Sequence, residues 1–291
     1  MSVDDGRVVF AAFLATSVLG GVNAVAVRFS NRELDPLWGA GLRFSLAAAL
    51  LFAVMAVLRL AFPKGRSAIG AFLYGSLNFG VAYALLYYAL VELQAGFGQI
   101  VLALVPLATL LIAVLQRQER FRVIALVGAI VGLGGIVVMS RTSLPETVPL
   151  LSLLAAVGSA LCVAQAAVLL RFFPRAHPVT MNALGMATGA VLLLAGSLLA
   201  GESHPLPRDG ETWAALVYLI VVGSVLVFVL YLFVLARWSA SRTTYGFLII
   251  PVVTVALSAW LDDEKVGLGL VLGGVIVLAG VYVGALRPVR D

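Results

Sequence analysis

Residues Glu92 to Met139 read ELQAGFGQIVLALVPLATLLIAVLQRQERFRVIALVGAIVGLGGIVVM, and residues Arg237 to Val283 read RWSASRTTYGFLIIPVVTVALSAWLDDEKVGLGLVLGGVIVLAGVYV. Sliding the first over the second by 145 positions superimposes Pro106 on Pro251, Thr109 on Thr254, Glu119 on Glu264, Gly128 on Gly273 and Gly135 on Gly280. Each copy is an apolar run of membrane length with a central proline, then a short charged turn, then a glycine-rich apolar run. A chain of 291 residues that repeats at half its length is a two-part molecule.

The rest of the chain has the same character. Hydrophobic residues make up 62% and charged residues 11%, with a mean hydropathy of +1.10. A soluble domain sits nearer ~45–50% apolar and ~25% charged, so lipid is the solvent for most of this sequence. A single cysteine, Cys162, excludes an internal disulfide, and its apolar neighbours suggest a packed thiol. The first apolar run, 8–29, is longer than the core of a cleaved signal peptide and reads as retained. A span needs ~20 mostly apolar residues. By that rule ten helices are expected, at 8–29, 36–59, 67–91, 94–115, 121–140, 147–170, 177–200, 211–236, 241–261 and 265–286.

Charge sets the orientation. Of nineteen Lys and Arg, thirteen fall in one alternating set of connections and termini and five in the other, with Arg43 left inside a span. Ten of the fourteen acids occupy the arginine-poor side. The positive-inside rule then places both termini in the cytoplasm. The net charge of +5 reflects this bias and not a nucleic-acid partner. Five helices per repeat is an odd number, so the second half enters the membrane upside down. The expected fold is an all-α membrane protein of ten transmembrane helices in two inverted five-helix repeats, 1–143 and 144–291. Inverted halves enclosing a site near the midplane are the usual architecture of secondary transporters.

The stretches AGFGQIVLALVPLATLLIA with GAIVGLGGIVVM, and SRTTYGFLIIPVVTVALSAW with GGVIVLAGVYV, closely resemble the EamA family of the drug/metabolite transporter superfamily. The similarity runs over essentially the whole chain, through the order and repetition of loose motifs. It implies export of small metabolites across a bacterial inner membrane. The similar YddG-type exporters imply amino acids as the substrate class, with no cofactor. The first helix lacks the membrane-embedded glutamate that small multidrug members of the superfamily use for proton coupling; it offers Thr16, Ser17 and Asn23 instead.

Helical spacing groups the polar residues that could line a path. Ser76, Gly80, Tyr83 and Tyr87 form one stripe; Gln99 and Pro106 share a face with Gly96 and Ala103; Gln165 aligns with Gly158 and Cys162; Thr244 and Pro251 repeat Gln99 and Pro106. Asn23 in the first helix, and Tyr231 with Ser224 in the eighth, complete the set expected to line a substrate cavity. Amides and phenols do not face hydrocarbon without cost. Their plain alternative is interhelical hydrogen bonding, worth only ~0.6 kcal/mol on average, and any single Ser or Thr fits that reading. Asn78 lies opposite the Tyr83 stripe and reads as structural.

Arg43 is the sharpest residue, ~10 Å along the second helix from Pro36 at 1.5 Å per residue. It can meet a substrate carboxylate, or it can snorkel to the interface or pair with Glu33 or Asp35. Pro106 and Pro251 would free the carbonyls of Leu102 and Phe247 and serve as hinges. Gly128, Gly132 and Gly135, with Gly273 and Gly280, read as close helix packing away from the path. The four tryptophans, near helix ends, read as an aromatic belt.

Enzyme chemistry finds no constellation. Only His177 and His204 exist, both in or beside loops, and no pair of acids falls within a span. With no titratable acid in the bilayer to relay protons, uniport is expected over proton antiport. The alternatives weighed are a proton-coupled exporter of cationic or aromatic drugs, and a membrane-embedded enzyme acting on a lipid-soluble substrate. The expected surroundings are a small-molecule substrate and a lipid bilayer, without nucleic acid or metal, for a monomeric protein.

Overall fold

The computed structural model describes residues 3–92, 102–139, 149–261 and 268–286. Within them the chain forms ten helical elements: α1 (Val3–Ser30), α2 (Pro36–Val57), α3 (66–92), α4 (Val105–Leu115), α5 (Val123–Met139), α6 (Leu150–Leu169), α7 (Pro178–Ala200), α8 (Gly210–Leu235), α9 (240–261) and α10 (268–286). Six of them are long and apolar enough to cross a membrane, with 22 to 26 residues each. The fold is all-helical, as two inverted five-helix repeats.

Packing follows the repeat. Under the shift of 145, α1 corresponds to α6, α2 to α7, α3 to α8, α4 to α9 and α5 to α10. Most main contacts follow that exchange: α2 packs on α7 and α5 on α10, while α1 lies against α8 and α9 as α6 lies against α3 and α4. One departs from it, since α3 packs more closely on α7 than α8 does on α2. Nearly every major contact therefore joins one half to the other. At the α5–α10 contact a Cβ on Gly128 would sit 2.5 Å from the Gly284 Cα, and one on Gly280 would sit 2.5 Å from the Gly132 amide nitrogen. The glycines do bring these two helices to backbone contact.

The connections that the structure describes tie the bundle at both ends. The arginine-rich end carries the α2–α3, α4–α5, α6–α7 and α8–α9 turns; the acidic end carries α1–α2 and α7–α8. Pro36 opens α2 with a fixed φ and no N–H to lose. The remaining amides of that terminus are capped from across the molecule, where Glu202 accepts from Leu37 and Trp38 at 3.0 and 2.7 Å. Asp35 instead accepts from the Ser203 hydroxyl and amide, and Glu33 from the amides of Arg208 and Asp209. Helix α7 starts at Pro178 and ends at Gly201, whose φ of +69° suits a residue without Cβ.

Three expectations need correction. The fourth helix was expected as one run over 94–115 kinked at a central proline. Its described part instead turns at Ala103 and Leu104 and restarts at Val105, so Pro106 sits in a first turn where a missing N–H is harmless. Pro251 does lie inside its helix, Gly246–Leu261, which is broken one turn earlier at Tyr245. The two prolines thus stand in different local structures although they match in the repeat. Trp238 is not a belt residue: it is 8% exposed and packs 5.1 Å from the Phe13 ring.

Candidate functional site

Two helices depart from regular α geometry at repeat-equivalent places. Ser76–Val81 in α3 and Val221–Leu226 in α8 are π-helical, and a shift of 145 carries one onto the other. In a regular helix the amide of Val227 would bond the carbonyl of Gly223. Here it bonds the carbonyls of Ser224 and Val222, and the equivalent amide of Ala82 passes over Asn78 to reach Leu77. At these two places the carbonyls of Asn78 and Gly223 lose the amide that a regular helix would bring to them. Such bulges frequently mark functional sites.

Side chains from the other half claim the Gly223 carbonyl. Asn23 Nδ2 of α1 and Arg43 Nη2 of α2 each donate to it at 2.9 Å, and Arg43 Nε donates to Ser224 Oγ at 2.7 Å. The absent Cβ of Gly223 leaves room for the Asn23 amide, which a side chain there would displace. Arg43 is 2% exposed. It does not snorkel, and it does not pair with Glu33 or Asp35, whose carboxylates are committed to the α7–α8 turn. Its guanidinium carbon lies 5.0 Å from the Phe44 ring centroid and 5.8 Å from that of Tyr83. Among the described residues no carboxylate reaches it; the one ion pair there joins Arg32 to Glu211.

An aromatic row adjoins Arg43. Phe44 meets Tyr83 edge-on at 4.8 Å and Phe79 at 5.1 Å, Phe79 meets Phe228 at 4.7 Å, and Tyr83 is followed by Tyr87 at 6.2 Å. Tyr231 packs against Phe247 at 6.5 Å. The rings of Tyr83, Phe228 and Phe247 stay half-buried although they pack on the main core. Tyr74 and Asn182, fully buried, keep their polar atoms unpartnered.

The other expected lining residues divide. Gln165 is half-buried and accepts from Gln116 at 2.7 Å. Thr244 is fully buried and spends its hydroxyl on the carbonyls of Ala240 and Ser241, so it has no donor to offer a ligand. Ser76 is half-buried in the π segment of α3. Gln99 lies outside the described residues. At the arginine-rich end, Glu119 accepts from the amide and hydroxyl of Ser241, capping α9 from the α4–α5 turn. Gln118 Nε2 and Arg171 Nη1 brace the same end, donating to the carbonyls of Val168 and Trp238.

Polarity alone did not reveal the Gly223 carbonyl, Phe44 or Phe79 as parts of this site. Phe44 and Phe79 read as ordinary apolar helix residues. The one available signal for Gly223 was its alignment with Asn78 in the repeat.

Comparison with known proteins places the chain in context. It matches the EamA-like transporter family twice, over residues 7–141 and 150–285. It is 27% identical over 290 residues to the uncharacterized inner membrane transporter YedA of Escherichia coli, covering 96% of this chain and 94% of that one. It is 25% identical over 288 residues to the probable amino-acid metabolite efflux pump of Escherichia coli, covering 93% and 92%. A solved crystal structure shares the fold with a TM-score of 0.83 at 20% identity, covering 96% of this chain and 97% of its own.

Proposed function

The chain belongs to the EamA-like transporter family, a family of membrane transporters and not of enzymes, and from that premise we propose that it exports amino acids by alternating access between its inverted halves. The observation that carries the substrate class is Arg43: a buried cation held by neutral groups and ring faces, with no described carboxylate in contact with it. Leaving a charge buried without a counter-charge costs several kcal/mol, and a substrate carboxylate relieves that cost during each passage. The rings beside it supply the apolar contact that a neutral side chain needs. The relative named as an amino-acid metabolite efflux pump supports the same reading.

Transport runs as uniport, down the substrate gradient. No acid falls in the middle of a span, and arginine does not release its proton, so no group is suited to carry protons through the bilayer. A fixed buried cation also disfavours the cationic-drug alternative. We place the protein in a bacterial inner membrane with both termini cytoplasmic, as the arginine bias predicts, and the boundary between repeats at residues 143 and 144. It works as a monomer. A panel of radiolabelled amino acids offered to proteoliposomes tests the proposal. Equilibration of at least one amino acid without accumulation under an imposed pH gradient is expected. Transport confined to amines, or accumulation driven by the pH gradient, refutes it.

A further inference from the structure

Buried Arg43 and half-buried Asn23 donate to the same carbonyl, and their unused atoms are chemically complementary to an α-amino acid. Arg43 has five N–H donors; one goes to Ser224 and one to Gly223, which leaves three, two of them side by side on the outer edge of the guanidinium. Asn23 spends its Nδ2 on Gly223, while its Oδ1 is buried and accepts from nothing. Both donating nitrogens sit 2.9 Å from one oxygen, so they stand within twice that distance of each other. An α-carboxylate and an α-ammonium share a single carbon and need two anchors that close together.

We propose that Arg43 and Asn23 form a two-point clamp for the α-amino-acid head group, assembled by the π-helical bulge of α8. This rests on the reading of the protein as an amino-acid exporter and adds which atoms recognise the substrate. The free edge of Arg43 donates to the carboxylate, and Asn23 Oδ1 accepts from the ammonium. Gly223 positions both, since its carbonyl is available only because the helix bypasses it, and its missing side chain is what admits the Asn23 amide. The half-buried Tyr83 ring, 5.8 Å from the guanidinium carbon, is close enough to receive the substrate side chain. Each buried polar atom left over in this node is thereby satisfied by a substrate atom of opposite character, as buried polar groups generally are.

An isosteric series separates the two points: phenylalanine carries both groups, 3-phenylpropionate only the carboxylate, and phenethylamine only the ammonium. Binding of each is measured on the purified full chain in detergent by calorimetry. The wild type is expected to bind phenylalanine at least about tenfold more tightly than 3-phenylpropionate, since a hydrogen bond to a charged group is lost in the latter, with phenethylamine weakest. Asn23→Leu should erase the difference between phenylalanine and 3-phenylpropionate. Arg43→Gln should erase the advantage of both carboxylates over the amine. Ser224→Ala should keep the order, because the outer edge of Arg43 is untouched.

Wild-type binding of phenylalanine no tighter than 3-phenylpropionate, or no binding of any of the three, overturns the clamp even if the variants do not fold. If the amino-acid panel is transported but this order is missing, the clamp falls and the export reading stands. The expected order without transport in liposomes leaves the clamp and removes export.

Discussion

Replacing Gly128 by alanine tests the structure at a close backbone contact between its halves. The added Cβ would lie 2.5 Å from the Gly284 Cα, 2.6 Å from the Gly284 amide nitrogen and 2.8 Å from the Gly280 carbonyl oxygen. Ordinary van der Waals contact begins near 3.4 Å, so α5 and α10 must part by close to an ångström. No flexible side chain can give way, because all three atoms are backbone. Overpacking of this kind costs ~1–3 kcal/mol, and ~1 kcal/mol moves Tm by ~2–4 °C in a chain of about 150–250 residues. A fall of roughly 2–12 °C is therefore expected. Gly134→Ala is the matched control, since a Cβ there meets nothing within 4 Å and alanine is the better helix former by up to ~1 kcal/mol. Thermal unfolding in detergent, followed by size-exclusion chromatography, reads both. Because this contact lies away from Arg43 and the aromatic row, residual folded Gly128→Ala protein should keep its substrate preference. Equal melting of the two variants would refute the close packing of α5 on α10.

Other tests bear on movement and on the ends of the bundle. Pro251→Ala restores an amide inside α9 and should lower the transport rate severalfold while leaving thermal stability equal or higher; wild-type kinetics would remove Pro251 as a hinge. Glu119→Gln removes a negative charge from the N-terminus of α9, a contact worth ~0.3–1 kcal/mol. It should raise maleimide labelling of a Gln165→Cys variant from the arginine-rich end by up to about fivefold, and unchanged labelling would mean that this cap does not close the path. The Asp209 amide, with the Thr212 hydroxyl and Arg208, holds Glu33 below the ordinary carboxylate range, and the Ser203 hydroxyl and amide do the same for Asp35. A folded-state pKa that is depressed gives stability present above the unfolded value near ~4 and lost as pH falls through the lower folded value. The Tm difference between wild type and the Glu33→Gln, Asp35→Asn double variant should hold steady from pH 7.5 to 5 and shrink only below about pH 4. Its disappearance between pH 7 and 5 would contradict these contacts.

Much of the architecture was readable before any coordinates. Ten apolar runs, a repeat at 145 residues and an arginine bias depend on properties that each residue carries with it. Hydropathy and charge act on position in a bilayer, so they need no tertiary information. The glycine spacing in α5 and α10 was equally legible, because only the absence of Cβ allows backbones to touch. The candidate site was legible only in part. Polarity pointed to Asn23, Arg43, Tyr83 and Gln165, but the same reasoning gave Thr244 a ligand role its own helix forecloses, and it treated Pro106 as the twin of Pro251.

What the sequence determined by itself is the membrane, the number of spans and the twofold relation of the halves. Only the tertiary structure decided that Arg43 turns inward to a main-chain oxygen, 180 positions away in the chain. The reason is physical. A helix chooses between bonding four or five residues back by a small energy difference, and the side chains that meet the carbonyl freed at Gly223, those of Asn23 and Arg43, come from the other half of the molecule.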